Sequence, residues 1–263
     1  MRGAVADKAG VTIAVPNWNH ELVLARAIAP ALRAVADLAA EGVPAEVLVI
    51  DDGSRDGSVT LLRQLEALHY PDGLRVLALR HNSGLARARN RALAECAYRH
   101  VLYLDADNEL VPGNVSLFYR AAVRTGAAAV YGTLLRNDAR GLSAMSNESI
   151  QFRLFENNYV DAFALFDADQ LRDLGGYADD DRVRTREDWE LLAHLACNGR
   201  EVVFVPVVLG YYHDTPGSMI KDSLRRHKAQ AAHVKRVFNQ LDVRSGLPLN
   251  TLHKRYHPDV GYF

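Results

Sequence analysis

Two aspartates spaced one residue apart follow a short apolar segment in the middle of the chain. Residues 101–104 are Val-Leu-Tyr-Leu, and Asp105 and Asp107 lie directly after them. This pattern indicates a buried strand that ends at the rim of a sheet, where alternate residues share one face. Two carboxylates held that close repel each other unless a divalent cation or hydrogen-bond donors lie between them. The pair predicts a cation or polar-ligand site; the alternative is a solvated turn after a core strand.

Three further apolar segments end in polar turns. The four apolar segments are residues 11–15, 45–50, 74–79 and 101–104. The turns after them are residues 16–19, 51–54, 80–84 and 105–108. Helices are predicted between them at about residues 21–40, 57–68 and 85–98. Alternating strands and helices favour an α/β fold with a mainly parallel sheet and helices on both faces. Because such sheets bind ligands beyond the carboxyl ends of their strands, the four turns are expected to form one cleft.

Composition and charge exclude several classes of protein. The chain has 263 residues, 49% of them hydrophobic, which is enough for a globular core. Its net charge of -1 gives no support for nucleic-acid binding. The first ten residues do not resemble a signal peptide, and no apolar stretch approaches the roughly 20 residues that span a bilayer. The two cysteines, Cys96 and Cys197, suggest neither a metal site nor a disulfide framework. We expect a reduced, cytoplasmic protein.

The polar turns together resemble the glycosyltransferase family 2 enzymes of the GT-A fold. The matching segments appear in the family's order over roughly residues 11–220. They are Val-Pro-Asn-Trp-Asn at 15–19, the Asp-Asp-Gly-Ser segment at 49–58, Asn-Ser-Gly-Leu-Ala-Arg-Ala-Arg-Asn at 82–90, Leu-Asp-Ala-Asp-Asn at 104–108, and Gly-Gly-Tyr at 175–177 followed by Arg-Glu-Asp-Trp-Glu at 186–190. The resemblance implies a Rossmann-like, mixed but mainly parallel central sheet.

The resemblance also implies how a nucleotide-sugar donor would bind. Trp18 would present its ring to a nucleobase, and Asp52 would accept the imide N–H of uracil. The alternatives are that Trp18 is a core or interface aromatic and that Asp51 only caps its turn. Arg87 would approach the diphosphate, although solvent exposure is the commoner fate of such arginines, and Arg89 faces another side of the same helix. The expected donor-binding residues are Pro16, Trp18, Asn19, Asp52, Arg87 and Asp105.

A divalent cation, Mn²⁺ or Mg²⁺, is the implied cofactor. Asp107 resembles the family's direct metal ligand, and the cation would bridge diphosphate oxygens of the donor. The segment expected to supply the third ligand departs from the family pattern, in which Tyr-Arg-x-His precedes a Pro/Gly-Ser stretch. Here the run at 212–219 is Tyr-His-Asp-Thr-Pro-Gly-Ser-Met, which places His213 at the Arg position and Thr215 at the His position. His213 is the nearest candidate for the missing ligand.

The second half of the chain is expected to carry the chemistry. Asp188 resembles the family's general base, which removes a proton from the acceptor hydroxyl. A strand is predicted at 159–166, with helices at 169–174 and 189–197. Asp188 would then lie at a helix N-terminus, where the helix dipole favours the ionised carboxylate. The alternative is that Glu187 and Asp188 are ordinary helix-start acids.

Three segments are distinguished along the chain. Residues 1–110 form the donor-binding half, 111–220 the acceptor-binding and catalytic half of the same GT-A domain, and 221–263 a C-terminal helical extension. A basic helix at about 218–238 could cover the diphosphate, although a solvated basic face is also compatible with its composition.

These observations favour an inverting, metal-dependent glycosyltransferase that uses a nucleotide-sugar, with UDP as the expected nucleotide. The acceptor is expected to be a carbohydrate, a lipid-linked glycan or a small molecule, in a setting such as polysaccharide biosynthesis. Peripheral membrane contact is compatible with the sequence, and the oligomeric state is left open. Two alternatives remain: a catalytically silent nucleotide-sugar-binding module, and a haloacid-dehalogenase-type phosphatase. The phosphatase would require Thr or Val at position 109, where the chain has Glu109.

Overall fold

The computed structural model describes residues 8–69, 73–138, 141–147, 158–180, 186–213, 232–234, 236, 256–257 and 261–262. The strands in this part of the chain are β1 (Val11–Asn17), β2 (Ala45–Asp51), β3 (Leu74–Ala78), β4 (His100–Tyr103), β5 (Glu109–Leu110), β6 (Ala129–Asp138), β7 (Gly141–Met145), β8 (Leu165–Asp167), β9 (Val202–His213), β10 (Tyr256–His257) and β11 (Gly261–Tyr262). The α-helices are α1 (Leu24–Ala40), α2 (Ser58–His69), α3 (Leu85–Glu95), α4 (Val115–Thr125), α5 (Ala168–Asp173) and α6 (Glu187–Cys197).

One mixed sheet runs through both halves of the chain. Within the described residues its order is β3-β2-β1-β4-β8-β6-β9-β5, with β7 paired to β6. Strands β1 to β4 are parallel to one another, whereas β8 joins β4 and β6 in antiparallel pairs. The predicted α/β class with a mixed central sheet is therefore confirmed. Since β4 and β8 are neighbours, strands from before and after residue 110 belong to a single sheet.

Two hydrophobic layers cover the two faces of this sheet. Successive residues of a strand point to opposite faces, so Ile13 packs with α1, α2 and α4 while Ala14 packs with α3, α5 and α6. Helices α1, α2, α3 and α5 each follow a strand directly, whereas α6 follows α5. The buried side chains on both faces are largely aliphatic. The prediction of helices on both faces is confirmed.

The prediction of a long strand at 159–166 is wrong for most of that segment. Only Leu165–Asp167 forms the strand β8. The preceding backbone is turned, because Ala164 N–H donates to Ala162 O over 2.7 Å and Phe163 N–H donates to the Asp161 side chain over 2.9 Å. These local bonds replace the ladder bonds of an extended strand. Residues 159–164 are therefore an irregular loop and not part of the sheet.

The C-terminal region departs from a uniform helical extension. Residues 256–257 and 261–262 pair as two short antiparallel strands, and residues 232–234 are helical with Val234 buried on the α6 side of the sheet. Most of the predicted basic helix at 218–238, together with Thr215, lies outside the described residues. Among the described residues, no helix combines the length and the apolar character needed to cross a membrane.

Candidate active site

The carboxyl ends of β1 and β2 are fastened to each other at one edge of the sheet. The parallel register places Asn17 opposite Asp51. The Asn17 amide donates to Asp51 Oδ2 over 2.7 Å, and the Ser54 hydroxyl donates to the same oxygen over 2.6 Å. Asp51 Oδ1 accepts from the Ser54 backbone N–H over 3.0 Å, which is the geometry of a turn cap. Asp51 is fully buried, so its carboxylate stabilises the loop.

The loop that carries Trp18 is shaped by its neighbours. Asn19 has a φ of 58°, a left-handed conformation that asparagine tolerates. Its backbone N–H donates to Ser54 Oγ over 2.9 Å, and its side-chain oxygen accepts from the Arg55 N–H over 2.7 Å. Pro16 is buried within β1. Pro16 and Asn19, both predicted to bind the donor, therefore shape the loop around Trp18.

A cleft of about 450 Å³ opens between the loops that follow β1, β2 and β3. Trp18 is 48% exposed and forms one wall. The volume of the cleft falls within the roughly 300–1,000 Å³ that is usual for small-molecule sites. An exposed aromatic ring in such a cleft offers a flat face for stacking. The residues that line the cleft include Trp18, Asp51, Arg55, Leu79, Arg80 and His81.

Gly53 allows two loops of the cleft to touch. Its φ is +70°, and a Cβ atom added there would lie 2.7 Å from the carbonyl carbon of His81 and 2.8 Å from the backbone nitrogen of Asn82. Both are backbone atoms that cannot move aside like a side chain. Glycine at this position is therefore required by the backbone conformation and by the close approach of the β3 loop.

Asp52 caps the beginning of α3. Its Oδ1 accepts from the Ser83 N–H over 2.8 Å and from the Ser83 hydroxyl over 2.6 Å, and its Oδ2 accepts from the Gly84 N–H over 2.7 Å. Asp52 is only 3% exposed. Three of its acceptor positions are thus occupied, and a uracil imide would have to use the remaining one. The structure gives Asp52 a role in loop geometry that the sequence did not suggest.

The arginines of α3 have separate environments. Arg87 is 60% exposed and pairs with Asp179, which raises the pKa of Arg87, with a further contribution from Asp52. Arg89 is 3% exposed and lies in the interior of the site. Arg87 and Arg89 point in different directions, as predicted. The sequence did not show which of the two faces the interior. Arg89 is the arginine that contacts the acids Asp105 and Glu187. Arg87 lies on the rim of the site near Asp52.

Asp105 and Asp107 lie in the loop between β4 and β5, as the sequence predicted. Asp105 Oδ1 accepts from Arg89 over 2.9 Å, and Asp105 O accepts from the Asn108 N–H over 3.0 Å. The Asn108 side-chain oxygen in turn accepts from the His213 backbone N–H over 3.1 Å. This bond fixes the end of β9 beside the aspartate loop. The structure therefore brings His213 to the loop that carries Asp107.

His213 has an unused ring nitrogen. Its Nε2 is buried without a hydrogen-bond partner and lies 3.6 Å from Glu109 Oε2, too far for a hydrogen bond. A neutral imidazole nitrogen is a common metal ligand, so this orphaned atom fits a divalent cation held with Asp107. No group of three His, Cys, Asp or Glu side chains within the described residues could hold a metal by itself. Remaining ligands would have to come from a bound diphosphate and water.

Asp188 lies in the first turn of α6, one residue after the helix begins. The Asn158 side-chain amide donates to both of its oxygens, over 3.0 and 3.1 Å, and the Trp189 N–H donates to Oδ1 over 2.8 Å. Asn158 comes from the irregular segment before β8. These bonds orient the carboxylate.

Burial governs the ionisation of the acids around Asp188. It raises the pKa of Asp188, although hydrogen bonds from Asn158 and the charge of Arg89 oppose this effect. The helix dipole was expected to favour ionisation, whereas the pKa of Asp188 lies above that of an ordinary aspartate, with burial as the largest contribution. Burial also raises the pKa of Glu187 to about 7 and that of Asp161 to about 7. Four neighbouring carboxylates, including Asp105, thus surround the cation Arg89.

The sequence model described as "Glycosyl transferase family 2" matches residues 12–172, more than half of the chain. The chain belongs to glycosyltransferase family 2. It is 30% identical over 235 residues to the succinoglycan biosynthesis protein ExoO of Rhizobium meliloti (strain 1021), a match that covers 80% of this chain and 62% of ExoO. It is also 30% identical over 139 residues to the chondroitin synthase of Escherichia coli, covering 52% of this chain and 19% of the synthase. The chain thus matches less than two thirds of the length of each of these relatives.

Solved structures share the fold of this family 2 chain. The Staphylococcus aureus protein TarS (residues 1–349), in complex with UDP-GlcNAc, superimposes with a TM-score of 0.72 at 16% identity, over 91% of this chain and 68% of that one. The mannosyltransferase PcManGT of Pyrobaculum calidifontis, in complex with GDP-Man and Mn²⁺, gives a TM-score of 0.63 at 18% identity, over 92% and 71%. At these identities the likeness establishes the GT-A-type fold.

Sequence reasoning missed several residues of this family 2 site. Asn17 and Ser54 hold the Trp18 loop, Asn158 orients Asp188, and Arg89 joins two acidic segments. Asn17 and Arg89 lie inside the motifs that carried the resemblance, and their place in these motifs was a signal that they belong to the site. Nothing in the sequence around Asn158 distinguishes it from other polar loop residues.

Proposed function

We propose that the chain is an inverting glycosyltransferase that moves a sugar from a nucleoside-diphosphate sugar to an acceptor hydroxyl with the help of a divalent cation. The observation that carries the proposal is the arrangement of Asp188. Its carboxylate is held by Asn158 and is linked, through Glu187 and Arg89, to the Asp105 loop. A fixed carboxylate beside the aspartate loop is what removal of a proton from an attacking hydroxyl requires.

The donor is proposed to be a UDP-sugar whose base lies in the cleft beside Trp18. The exposed indole ring would stack on the base, and Asp52 would accept its imide N–H through the one remaining lone pair. Arg87, on the rim near Asp52, would approach the diphosphate by exchanging Asp179 for a phosphate oxygen. Asp105 would lie near the ribose. Structural neighbours with UDP-GlcNAc and with GDP-Man support a nucleotide-sugar donor of this general kind.

Asp107 and His213 would hold the divalent cation. When bound, Mn²⁺ or Mg²⁺ neutralises charge that develops on the departing diphosphate. Carboxylate and diphosphate oxygens suit both ions, and the PcManGT complex contains Mn²⁺. The orphaned Nε2 of His213 supports its assignment as a ligand.

The reaction proposed is a single displacement at the sugar C1 carbon. The acceptor oxygen forms a bond to C1 as the bond from C1 to the diphosphate oxygen breaks, and Asp188 takes the hydroxyl proton. Attack opposite the leaving group inverts the anomeric configuration. Positioning and electrostatic stabilisation by the site would supply most of the rate enhancement.

The acceptor is proposed to be a glycan, with a place in polysaccharide biosynthesis on the cytoplasmic side of the cell. The named relatives include proteins of succinoglycan biosynthesis and chondroitin synthesis, which supports a carbohydrate or lipid-linked acceptor. Peripheral contact with a membrane would suit a lipid-linked acceptor.

A donor screen tests this function. Thermal shift with UDP-, GDP- and dTDP-sugars, each with Mn²⁺ and with EDTA, should show stabilisation by one nucleotide class that depends on metal. Release of nucleoside diphosphate from the stabilising donor, measured with candidate glycan acceptors, then separates an enzyme from a silent binding module. Binding without any release, including slow hydrolysis, would support the binding module instead. The phosphatase alternative does not fit membership of family 2.

Replacing Trp18 with alanine should weaken binding of the donor nucleotide by about 1–3 kcal/mol, the range for loss of base stacking on an aromatic ring. Trp18 is exposed while Trp189 is 2% exposed, so nucleotide binding should quench the fluorescence of Trp18 alone. Isothermal titration of UDP measures the loss, and Trp18→Phe should retain most of the affinity. Leu22→Ala, a change at a 96% exposed residue nearby in the chain, is the matched control. Unchanged affinity in Trp18→Ala would place the base elsewhere.

Replacing His213 with alanine should weaken donor binding more strongly in Mn²⁺ than in EDTA. The reason is that the orphaned Nε2 would contribute affinity by ligating the cation. Titrations of wild type and variant with UDP under both conditions measure the difference, and His69→Ala, an exposed histidine at the end of α2, is the control. Equal weakening with and without metal would reject His213 as a ligand.

A further inference from the structure

Arg89 is a buried cation that touches three separate parts of the site. One of its terminal nitrogens donates to Asp105 Oδ1 over 2.9 Å, and the other donates to Glu187 Oε1 over 2.8 Å. Its guanidinium carbon lies 5.3 Å from the centre of the Tyr177 ring. The loop after β4, the first turn of α6 and the segment after α5 therefore meet at a single side chain from α3.

The chemistry of a guanidinium suits this position. Its planar fork of donors fixes the direction of each partner, which an ammonium on a flexible stem does not. A buried ion pair is seldom the most stabilising choice for a protein interior, since well-packed apolar residues often serve as well. What the ion pairs add is a fixed geometry between the two acidic segments. Arg89 and Glu187 are both nearly inaccessible, with side chains 3% and 5% exposed, so water does not weaken this geometry.

The neighbours of Glu187 make that geometry relevant to chemistry. Asp188 is the next residue, and Asn158 holds its carboxylate from the other side. Movement of the first turn of α6 would therefore move Asp188 away from this partner. Asp105, the other partner of Arg89, is two residues before Asp107 in the loop proposed to face the donor.

We propose that Arg89 is a positioning residue that fixes the position of the Asp105 loop relative to the first turn of α6. In this way it orients the Asp188 carboxylate toward the donor sugar. The inference rests on the proposed function, because it takes Asp188 as the base. Arg89 acts through Asp105 and Glu187, and its own side chain is only 3% exposed. A base displaced by about 1 Å can cost on the order of 10²-fold in rate while substrate affinity is retained.

The kinetic test compares Arg89→Lys, Arg89→Met and Glu187→Gln with wild type. We expect kcat to fall by about 10- to 100-fold in Arg89→Lys and Glu187→Gln, with KM for the donor within about threefold of wild type. Arg89→Met should lose more than Arg89→Lys, since lysine retains the charge. Arg91→Lys, on the same helix but 50% exposed and paired with Glu95, is the control and should match wild type. A rise in KM with kcat unchanged, or full activity in Arg89→Lys, would overturn the proposal.

Amide hydrogen exchange provides a test that does not depend on turnover. Arg89→Lys should accelerate exchange in residues 104–108 and in residues 187–191 together, whereas Arg91→Lys should accelerate neither. Acceleration in only one segment, or in none, would show that Arg89 does not join them and would overturn the proposal. If wild type transfers no sugar but both segments respond, the link through Arg89 stands and the proposed function fails. If wild type transfers sugar but Arg89→Lys does not accelerate exchange in both segments, the proposed function stands and the link through Arg89 fails.

Discussion

Replacing Asp188 with asparagine is expected to lower the rate of glycosyl transfer by about 10²–10⁴-fold, the usual scale for loss of a general base. Donor binding should stay close to wild type, because Asp188 contacts Asn158 and the Trp189 backbone and lies apart from the cleft that Trp18 lines. Asparagine is nearly the same size as aspartate, so the fold of α6 should be retained. Steady-state kinetics and UDP titration measure the two effects separately.

The control for this variant is another acid at the start of a helix. Asp169 lies in the first turn of α5 and its side chain is 56% exposed. Asp169→Asn should leave both transfer and donor binding unchanged. If Asp188→Asn also transfers at a near-normal rate, Asp188 is a helix-start acid like Asp169 and the base lies elsewhere.

The same assignment predicts how transfer depends on pH. A general base works only when deprotonated, and burial raises the pKa of Asp188 above that of an ordinary aspartate. Raising the pKa of a base moves the acid limb of the rate profile to higher pH, so transfer should decline at a higher pH than a solvated aspartate would allow. Profiles of kcat/KM between about pH 5 and pH 9, which report the groups of the free enzyme, measure this limb. The residual rate of Asp188→Asn should lack it.

Replacing Asp107 with alanine should abolish the part of donor binding and turnover that depends on metal. Loss of the charge stabilisation supplied by a cation amounts to several kcal/mol in the transition state, which is about 10²-fold or more in rate. The loop after β4 lies at the rim of the sheet and Asp107 is only partly buried, so the melting temperature without ligand should change little. Titration of UDP with Mn²⁺ and with EDTA, followed by turnover assays, measures the effect.

A surface aspartate serves as the control for Asp107. Asp173→Ala removes a carboxylate whose side chain is 66% exposed at the end of α5, and its response to Mn²⁺ should equal that of wild type. Turnover of Asp107→Ala that is still stimulated by Mn²⁺ would reject Asp107 as a metal ligand. Loss of binding in both Mn²⁺ and EDTA would indicate damage to the loop instead.

The architecture of the first half of the chain follows from local sequence pattern. Short apolar strands alternate with amphipathic helices, and parallel strands place their carboxyl ends at one edge of the sheet. The positions of Trp18, Asp52, Asp105 and Asp107 in the loops at that edge were therefore predicted correctly. The resemblance to family 2 added the assignment of Asp188 as the base, without which one acid at the start of a helix looks like any other.

Contacts between distant segments were decided only by the tertiary structure. The helical period shows that Arg87 and Arg89 point in different directions, but not which of them faces the interior. Asp179 draws Arg87 to the surface, while Asp105 and Glu187 surround Arg89. Likewise, burial is the largest contribution to the raised pKa of Asp188, although its place at a helix N-terminus had predicted a favoured ionised form. Both outcomes depend on which groups the folded chain packs together and removes from water, and neither is a property of the local sequence.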